Sequence, residues 1–257
     1  MQGLRTISPH EAKLQAKIEA AKLDAYWTQM RLARSGVLGL SLIRDGIDVR
    51  DPFVGVDYDR SKSVVTPKPI PINDLRRVQR ECMQIDDDIR WLVVLISDTG
   101  MRLAEAAGLS VSYFNLQGDI PFVEVRPRPW RSLKTSASAR VIPLSGMALW
   151  AAQRILQEAD TSSHAFPRYN RGSRTSANSA SAAINKWLKN HVPAGCTMHS
   201  FRHSMRDRLR AVQCPADIAD QIGGWVTDGV GQGYGSGYPI EVLMEWIAKT
   251  VAATEVG

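Results

Sequence analysis

Apolar and polar positions along this chain fall into two periods, and the changes between them mark its elements. From Pro9 to Arg34, Leu14, Ile18, Ala21 and Ala25 recur on one stripe of a run rich in Ala, Glu and Lys, which predicts an amphipathic helix. A second short helical piece is expected over residues 37–43, between Gly36 and Gly46. Residues 51–71 hold Pro52, Pro67, Pro69 and Pro71 with Gly55 and no sustained period; this is linker composition, and it puts a domain boundary near residue 65. Beyond it, Asn73 can cap a helix from Asp74 to Met83. Residues 87–98 read as a strongly apolar helix (Trp91, Leu92, Val94, Leu95, Ile96), and another begins over 102–108, with Arg102 just inside its start. The period then drops to two: PFVEVRP (121–127) and ARVIPL (139–144) predict strands flanking the turn RSLKTSAS. Helices resume over 147–159, and 161–176 reads as a polar loop rich in Ser and Arg. Helices are expected again over 179–190, 201–212 and 215–223, and over 240–252 with an apolar stripe of Leu243, Met244, Ile247 and Val251. The expected fold class is α+β, mainly α: a helical domain over 66–257 with a small antiparallel sheet, preceded by a short helical segment and linker over 1–65.

Composition narrows the class. With 44% hydrophobic and 23% charged residues over 257 positions, the chain can bury a core, which argues against a disordered polypeptide. No apolar run reaches the ~18 residues of a membrane span, and MQGLRTISPHEAKLQ has no apolar signal region, so a cytoplasmic protein without membrane contact is expected. The 32 Lys and Arg exceed the 26 Asp and Glu, for a net charge of +6, which favours a polyanionic partner. Cys82, Cys196 and Cys214 are widely spaced without a C-x-x-C pair; they suggest a reducing compartment and neither a zinc site nor a disulfide framework.

The chemistry concentrates between His199 and Tyr238. His199 and Arg202 are three apart on one helix face, and Trp225 and Tyr234 follow, the tyrosine inside the alternating glycines of 229–237. Each interior glycine costs a helix about 1 kcal/mol relative to Ala, so that segment is expected to be poorly pinned. Arginines can neutralise a phosphodiester, and a phenol can attack it to leave a covalent phosphotyrosine without any metal. Cleavage by a side-chain nucleophile passes through a pentavalent state with added negative charge, which fixed cations stabilise; Arg suits this because its planar fork donates two parallel hydrogen bonds and stays charged. Upstream, DTGMRLAEAAGLS places Arg102 at a helix N-terminus, where the dipole disfavours a cation unless an anion joins it. Glu105, one turn on, can orient Arg102. The hairpin carries Arg131, Lys134 and Arg140, and an ammonium there can protonate a leaving oxygen. Imidazole at position 199 can donate to phosphate or move a proton near neutral pH, whereas the Trp225 indole can only donate. His203 is expected to point elsewhere, as a structural or DNA-facing residue. Arg206, Arg208 and Arg210 on the same helix as Arg202, the loop cations Arg168, Arg171 and Arg174, and Lys186 on a candidate groove helix are further candidates for phosphate contact, as is Arg131.

The order Arg102, Lys134, His199, Arg202, Trp225, Tyr234, over roughly residues 68–245, resembles the tyrosine recombinase (phage integrase) family. Gly100, Arg102 and Glu105 fit its G-x-R-x-x-E box, Lys134-Thr135 its hairpin K-T, His199 and Arg202 its H-x-x-R box, and Trp225 stands where the family has His or Trp. The family tyrosine lies nine residues later, which selects Tyr234 over Tyr238. The resemblance implies a catalytic set of these six residues and a site-specific DNA recombinase or integrase of a phage or mobile element. It implies a 3′-phosphotyrosyl intermediate, no cofactor, double-stranded attachment sites as partner, and a tetramer on DNA that is a monomer when free. A type IB topoisomerase-like relaxing enzyme would share the chemistry, and a non-catalytic recombinase-derived DNA-binding protein is the other alternative. Many members carry a further helical DNA-binding domain; residues 1–65 are few for one, so a truncated or minimal clamp is expected. Docking of the last helix on its own domain or on a neighbour both remain open.

Overall fold

The computed structural model describes residues 68–135, 138–159, 162–171, 174–225 and 237–255, all within the second of two units, Val65–Gly257. The two helical pieces expected before residue 65 and most of the linker lie outside the described residues.

Helix α1 (Ile72–Ile85) buries Leu75, Val78, Gln79 and Cys82, a single stripe at helical spacing. Its start differs from expectation. The N-cap position is Pro71, and Asn73 sits in the first turn, where Oδ1 accepts from Arg76 Nη1 at 3.4 Å. The entry is fixed from elsewhere in the fold: Ser204 Oγ accepts from the Ile70 amide at 2.7 Å and donates to its carbonyl at 3.2 Å. Proline, with its preset φ and no N–H to satisfy, suits the point where that anchored segment turns helical.

Helix α2 (Asp88–Thr99) begins where the Asp87 carboxylate accepts from the Arg90 amide at 2.9 Å, and it is buried from Trp91 to Thr99. A helix buried all round must be covered on several sides; α1, α4 (Gly146–Gln157) and α6 (Met198–Ala211) cover it. Its buried carboxylate, Asp98, is satisfied by Arg208 Nη1 (2.9 Å), Gln79 Nε2 (3.1 Å) and the Met147 amide (3.0 Å).

Short α3 (Leu103–Ala107) leads to an antiparallel sheet in the order β1 (Phe114–Asn115), β2 (Phe122–Val125), β3 (Arg140–Pro143). The β2–β3 register runs from Phe122 opposite Pro143 to Val125 opposite Arg140, with Val123, Val125 and Ile142 turned into the core. These two strands match the sequence expectation; β1 is an addition. So is a second two-stranded ladder, β4 (Asn170–Arg171) with β5 (Arg174–Thr175), inside what read as a polar loop.

Helices α5 (Ala177–Leu188), α6 and α7 (Ala216–Gly223) follow, and α8 (Ile240–Glu255) closes the chain. The stripe of α8 packs on its own unit, against α6, β3 and α1: Leu243, Ile247 and Val251 are buried and Met244 is half-buried. Its last turn is tied down where Thr254 Oγ1 accepts from Arg208 Nε at 2.8 Å and its carbonyl accepts from Arg76 Nε. Ile247→Ala should therefore cost about 3 kcal/mol, the usual range for emptying a sealed core site, read as a lower urea midpoint at unchanged slope. No helix among the described residues is long and apolar enough to cross a membrane.

Candidate active site

Arg102 occupies the N-cap of α3 rather than its first turn, and a tight turn puts it there. Gly100 ends α2 at φ 64°, and a Cβ at this position would stand 3.1 Å from the Met205 side chain. Arg102 is then held by Glu105: its amide donates to Oε2 at 3.0 Å and its Nη1 to Oε1 at 2.7 Å. Nη1 also donates to Ser138 Oγ at 2.9 Å, and Nη2 to the Gly224 carbonyl at 3.3 Å.

Glu105 holds a second arginine. Arg140 Nη2 donates to Oε2 at 3.0 Å, and both side chains are about as closed to solvent as the core, at 3% and 4% exposed. Burial pushes the Glu105 carboxyl up, but the charge of Arg140 and the hydrogen bonds from Arg102 and Arg140 outweigh it and hold the carboxyl below its ordinary value. Arg140 also donates to the carbonyls of Ile222 (2.9 Å) and Ser138 (2.7 Å), tying hairpin to α7. Glu105 is thus bonded to both Arg102 and Arg140, a buried carboxylate at the centre of a three-residue network. Glu105→Gln leaves Arg140 a buried uncompensated charge, so it should cost about 3 kcal/mol at neutral pH. A depressed folded value means that the carboxylate's stabilisation is fully present above about pH 4.3, the ordinary glutamate value, and is lost as pH falls through the lower folded one. The gap between wild type and variant in urea melts should close in that acid window; a gap independent of pH would contradict the assignment.

Arg202, on α6, is buried at 4% exposure. Its Nη1 donates to the carbonyls of Gly100 (2.5 Å) and Gly223 (2.6 Å), and its Nη2 to Gly224 at 3.4 Å. Arg102 and Arg202 therefore meet at one carbonyl, that of Gly224. Among the described residues no carboxylate is bonded to Arg202; burial, then the charges of Arg102 and Arg140, lower it to about 9. The Gly223-Gly224-Trp225 corner permits this approach. A Cβ on Gly223 would lie 2.0 Å from the Trp225 ring, and Gly224 turns at φ 61° with Arg140 Nη1 2.6 Å from where its Cβ would be.

Trp225 carries the Arg202 and Arg206 guanidiniums at 4.6 and 4.7 Å from its ring. With His199, Arg202, His203 and Arg206 it lines an open cavity of about 350 Å³. Burial, then His203, Arg202, Arg102 and Lys134, lower His199 below the ordinary imidazole range. His203 does not point elsewhere: its ring stands edge-on to His199, centroids 5.0 Å apart, in the same cavity. Lys134 is exposed on the hairpin beside Thr135, whose hydroxyl lies 3.0 Å from Ser138 Oγ. The nominated nucleophile, Tyr234, lies outside the described residues. Tyr238 stands away from the cavity lining; its hydroxyl donates to Asp217, which raises it, and Gln221 brackets its backbone at 2.7 and 3.0 Å.

The outer cations divide. Arg171, Arg174 and Lys186 are exposed, and Arg206 is partly so at 29%. Arg168 is exposed but engaged, its Nε and Nη2 on Asp88 at 2.7 and 3.1 Å. Arg131 and Arg208 are corrected. Arg131 is 4% exposed and fastens the hairpin to the carbonyls of Glu105 and Arg126, so its guanidinium is turned away from solvent and any phosphate. Arg208, 8% exposed, serves Asp98 and α8. Sequence reasoning missed Arg140 and Ser138 as supports and His203 as a lining residue.

Solved structures resemble this chain at low identity. The XerH site-specific recombinase bound to palindromic difH substrate aligns at TM-score 0.49 and 15% identity, over 66% of this chain and 49% of that one. The Tn1549 transposon integrase in complex with circular intermediate DNA aligns at 0.49 and 15%, over 75% and 72%. The XerA recombinase aligns at 0.47 and 18%, over 96% and 85%. The chain spans about half the length of the XerH chain it matches. No curated protein matches it. The sequence model of the phage integrase family matches residues 73–236, a span that takes in the Arg102 box, the hairpin, the His199–Arg202 box, Trp225 and Tyr234. The chain belongs to the tyrosine recombinase (phage integrase) family.

Proposed function

We propose that this protein is a site-specific DNA recombinase that cuts and rejoins strands through a 3′-phosphotyrosyl intermediate. The observation that carries the reading is the meeting of Arg102 and Arg202 at the Gly224 carbonyl, beside an open cavity, with no carboxylate among the described residues bonded to Arg202. Two guanidiniums held together at a cost await an anion. A phosphodiester supplies one, and its pentavalent state, with more charge on the non-bridging oxygens, gains more than its ground state does. Tyr234 Oη attacks phosphorus, the bond to the 5′ oxygen breaks, and Lys134 delivers a proton to that oxygen. His199, kept neutral by its surroundings, donates to a phosphate oxygen or takes the phenol proton; Trp225 walls the pocket and holds Arg202. Attack by a partner strand's 5′-hydroxyl on the phosphotyrosine reverses these steps and regenerates the phenol.

The partner is double-stranded DNA carrying attachment sites, bound by a monomer that forms a tetramer on DNA. Residues 1–65 act as a DNA-contacting segment and linker ahead of a catalytic domain at 66–257. The structures aligned above include XerH and the Tn1549 integrase in complex with DNA, which supports a DNA partner here. The test is covalent trapping on a nicked suicide duplex: a protein–DNA adduct is expected, and its absence from every candidate attachment site would overturn the proposal.

Exposed Arg171, Arg174 and Lys186 supply the sequence-independent part of affinity. Arg174→Ala should weaken binding equally on all sequences and reduce the slope of log K against log salt by about 1, since with one phosphate contact fewer one counterion fewer is released on binding. An unchanged slope would remove Arg174 from the interface.

A further inference from the structure

His199, Arg202, His203 and Arg206 follow one another at i, i+3, i+4 and i+7, a single face of α6, and all four line the cavity. That face runs roughly 10 Å along the helix axis. A DNA strand presents a phosphate about every 3.4 Å of duplex axis, so the stripe is longer than one phosphate can occupy. The cavity, at about 350 Å³, is also roomy for one. It corresponds to roughly a dozen water volumes, against the five heavy atoms of a phosphate group.

The stripe divides chemically. Its inner part, Arg202, has its Nη groups on the carbonyls of Gly100, Gly223 and Gly224 and shares the last of these with Arg102. Its outer part is differently provisioned. Arg206 gives Nη1 to Asp220, a carboxylate 5% exposed, and its Nε and Nη2 make no hydrogen bond to any described residue. The ion pair fixes the guanidinium and leaves donors over. Trp225 fixes it a second time, holding it level with Arg202 at 4.7 against 4.6 Å from one ring. His203 completes the outer part.

We infer that the cavity is a two-phosphate groove in which His203 and Arg206 hold the phosphodiester adjacent to the scissile one on the same strand. This rests on the reading of the inner part as the strand-cleaving site. The outer subsite fixes the register of the strand, so that only one phosphorus comes to the Arg102–Arg202 pair.

The probes are deoxythymidine 3′,5′-bisphosphate and deoxythymidine 3′-monophosphate, titrated into the full chain and followed through imidazole resonances of ¹⁵N-histidine-labelled protein. The bisphosphate should bind about ten-fold more tightly than the monophosphate, the worth of one charge-assisted contact, and should move both His199 and His203. In Arg206→Ala with Asp220→Asn the gain should fall to about two-fold or less. That pair removes one charge of each sign, so net charge and long-range attraction stay the same, and no carboxylate is left buried without its partner. His203→Gln, at a half-buried position on the cavity wall, should reduce the gain at least three-fold and covers a failure of the double variant to fold. A gain that survives both changes, or a bisphosphate that leaves His203 unmoved in the wild type, overturns the subsite. Covalent trapping reads the other proposal separately. An intact gain with no adduct on any suicide duplex would refute strand cleavage, and an adduct with no gain would refute the groove.

Discussion

Tyr234→Phe should bind a candidate site duplex with unchanged affinity and form no covalent adduct on a nicked suicide substrate. The expected loss is complete rather than graded, because the phenol oxygen becomes part of the new P–O bond and nothing else in the segment can replace it. The comparison that gives this force is Tyr238→Phe. Tyr238 stands outside the cavity with its hydroxyl donated to Asp217 and its backbone bracketed by Gln221. A phenol held by a carboxylate is harder to ionise, and that contact raises Tyr238 above its ordinary value. Its loss should leave adduct formation within a few fold of wild type. If adduct persisted in Tyr234→Phe and vanished in Tyr238→Phe, the nucleophile would be Tyr238, and the spacing of nine after Trp225 would have misled.

Most of the helical frame was legible because its signals are local. The apolar run of α2 with Asp87 before it and Gly100 after it, and the alternation of β2 and β3, need only neighbouring residues to be read. So do His199 and Arg202 at three apart. What escaped depends on contacts distant in sequence. Arg131, Lys134 and Arg140 are three equivalent hairpin cations by composition. Which one pairs with the Glu105 carboxylate is decided by the β2–β3 register, which brings Arg140 opposite Val125 and against the end of α7. Asn73 has the better capping side chain, yet the helix starts at Ile72 because Ser204 anchors Ile70. β1, β4 and β5 have two residues each, too few to show a period. Two errors were avoidable. Arg208 continues the buried stripe of Phe201 and Met205, so its inward direction was written in the spacing. His203 lies four after His199 and one turn before Arg206, and helical geometry alone puts it on the cavity face. The segment of the nominated nucleophile, Tyr234, lies outside the described residues and is read from sequence only.

Arg202→Met should reduce adduct formation about a thousand-fold and change stability by far less than three lost hydrogen bonds suggest. The two halves of this expectation come from one feature. Arg202 is buried beside Arg102 and Arg140, bonded to carbonyls and, among the described residues, to no carboxylate, and the fold lowers it to about 9. The folded state therefore binds this proton less well than the unfolded chain does. In the window from about 9 up to the ordinary arginine value the unfolded chain holds more protons, so this group's contribution to stability rises with pH there; at neutral pH its full penalty applies. Each pKa unit is worth about 1.4 kcal/mol, so the penalty is of the same order as the hydrogen bonds that Met forfeits, and the two offset. What Met cannot replace is the response to an oxyanion. Inorganic phosphate should stabilise the wild type by up to about 2.7 kcal/mol at a hundred times its Kd and stabilise Arg202→Met markedly less, since only the outer His203–Arg206 subsite is left to hold it. Thermal melts across a phosphate series, at constant ionic strength to remove screening, read this without DNA or turnover. Equal stabilisation of both proteins would mean that the anion sits elsewhere, and the pairing of Arg102 with Arg202 would then be a feature of folding rather than of catalysis.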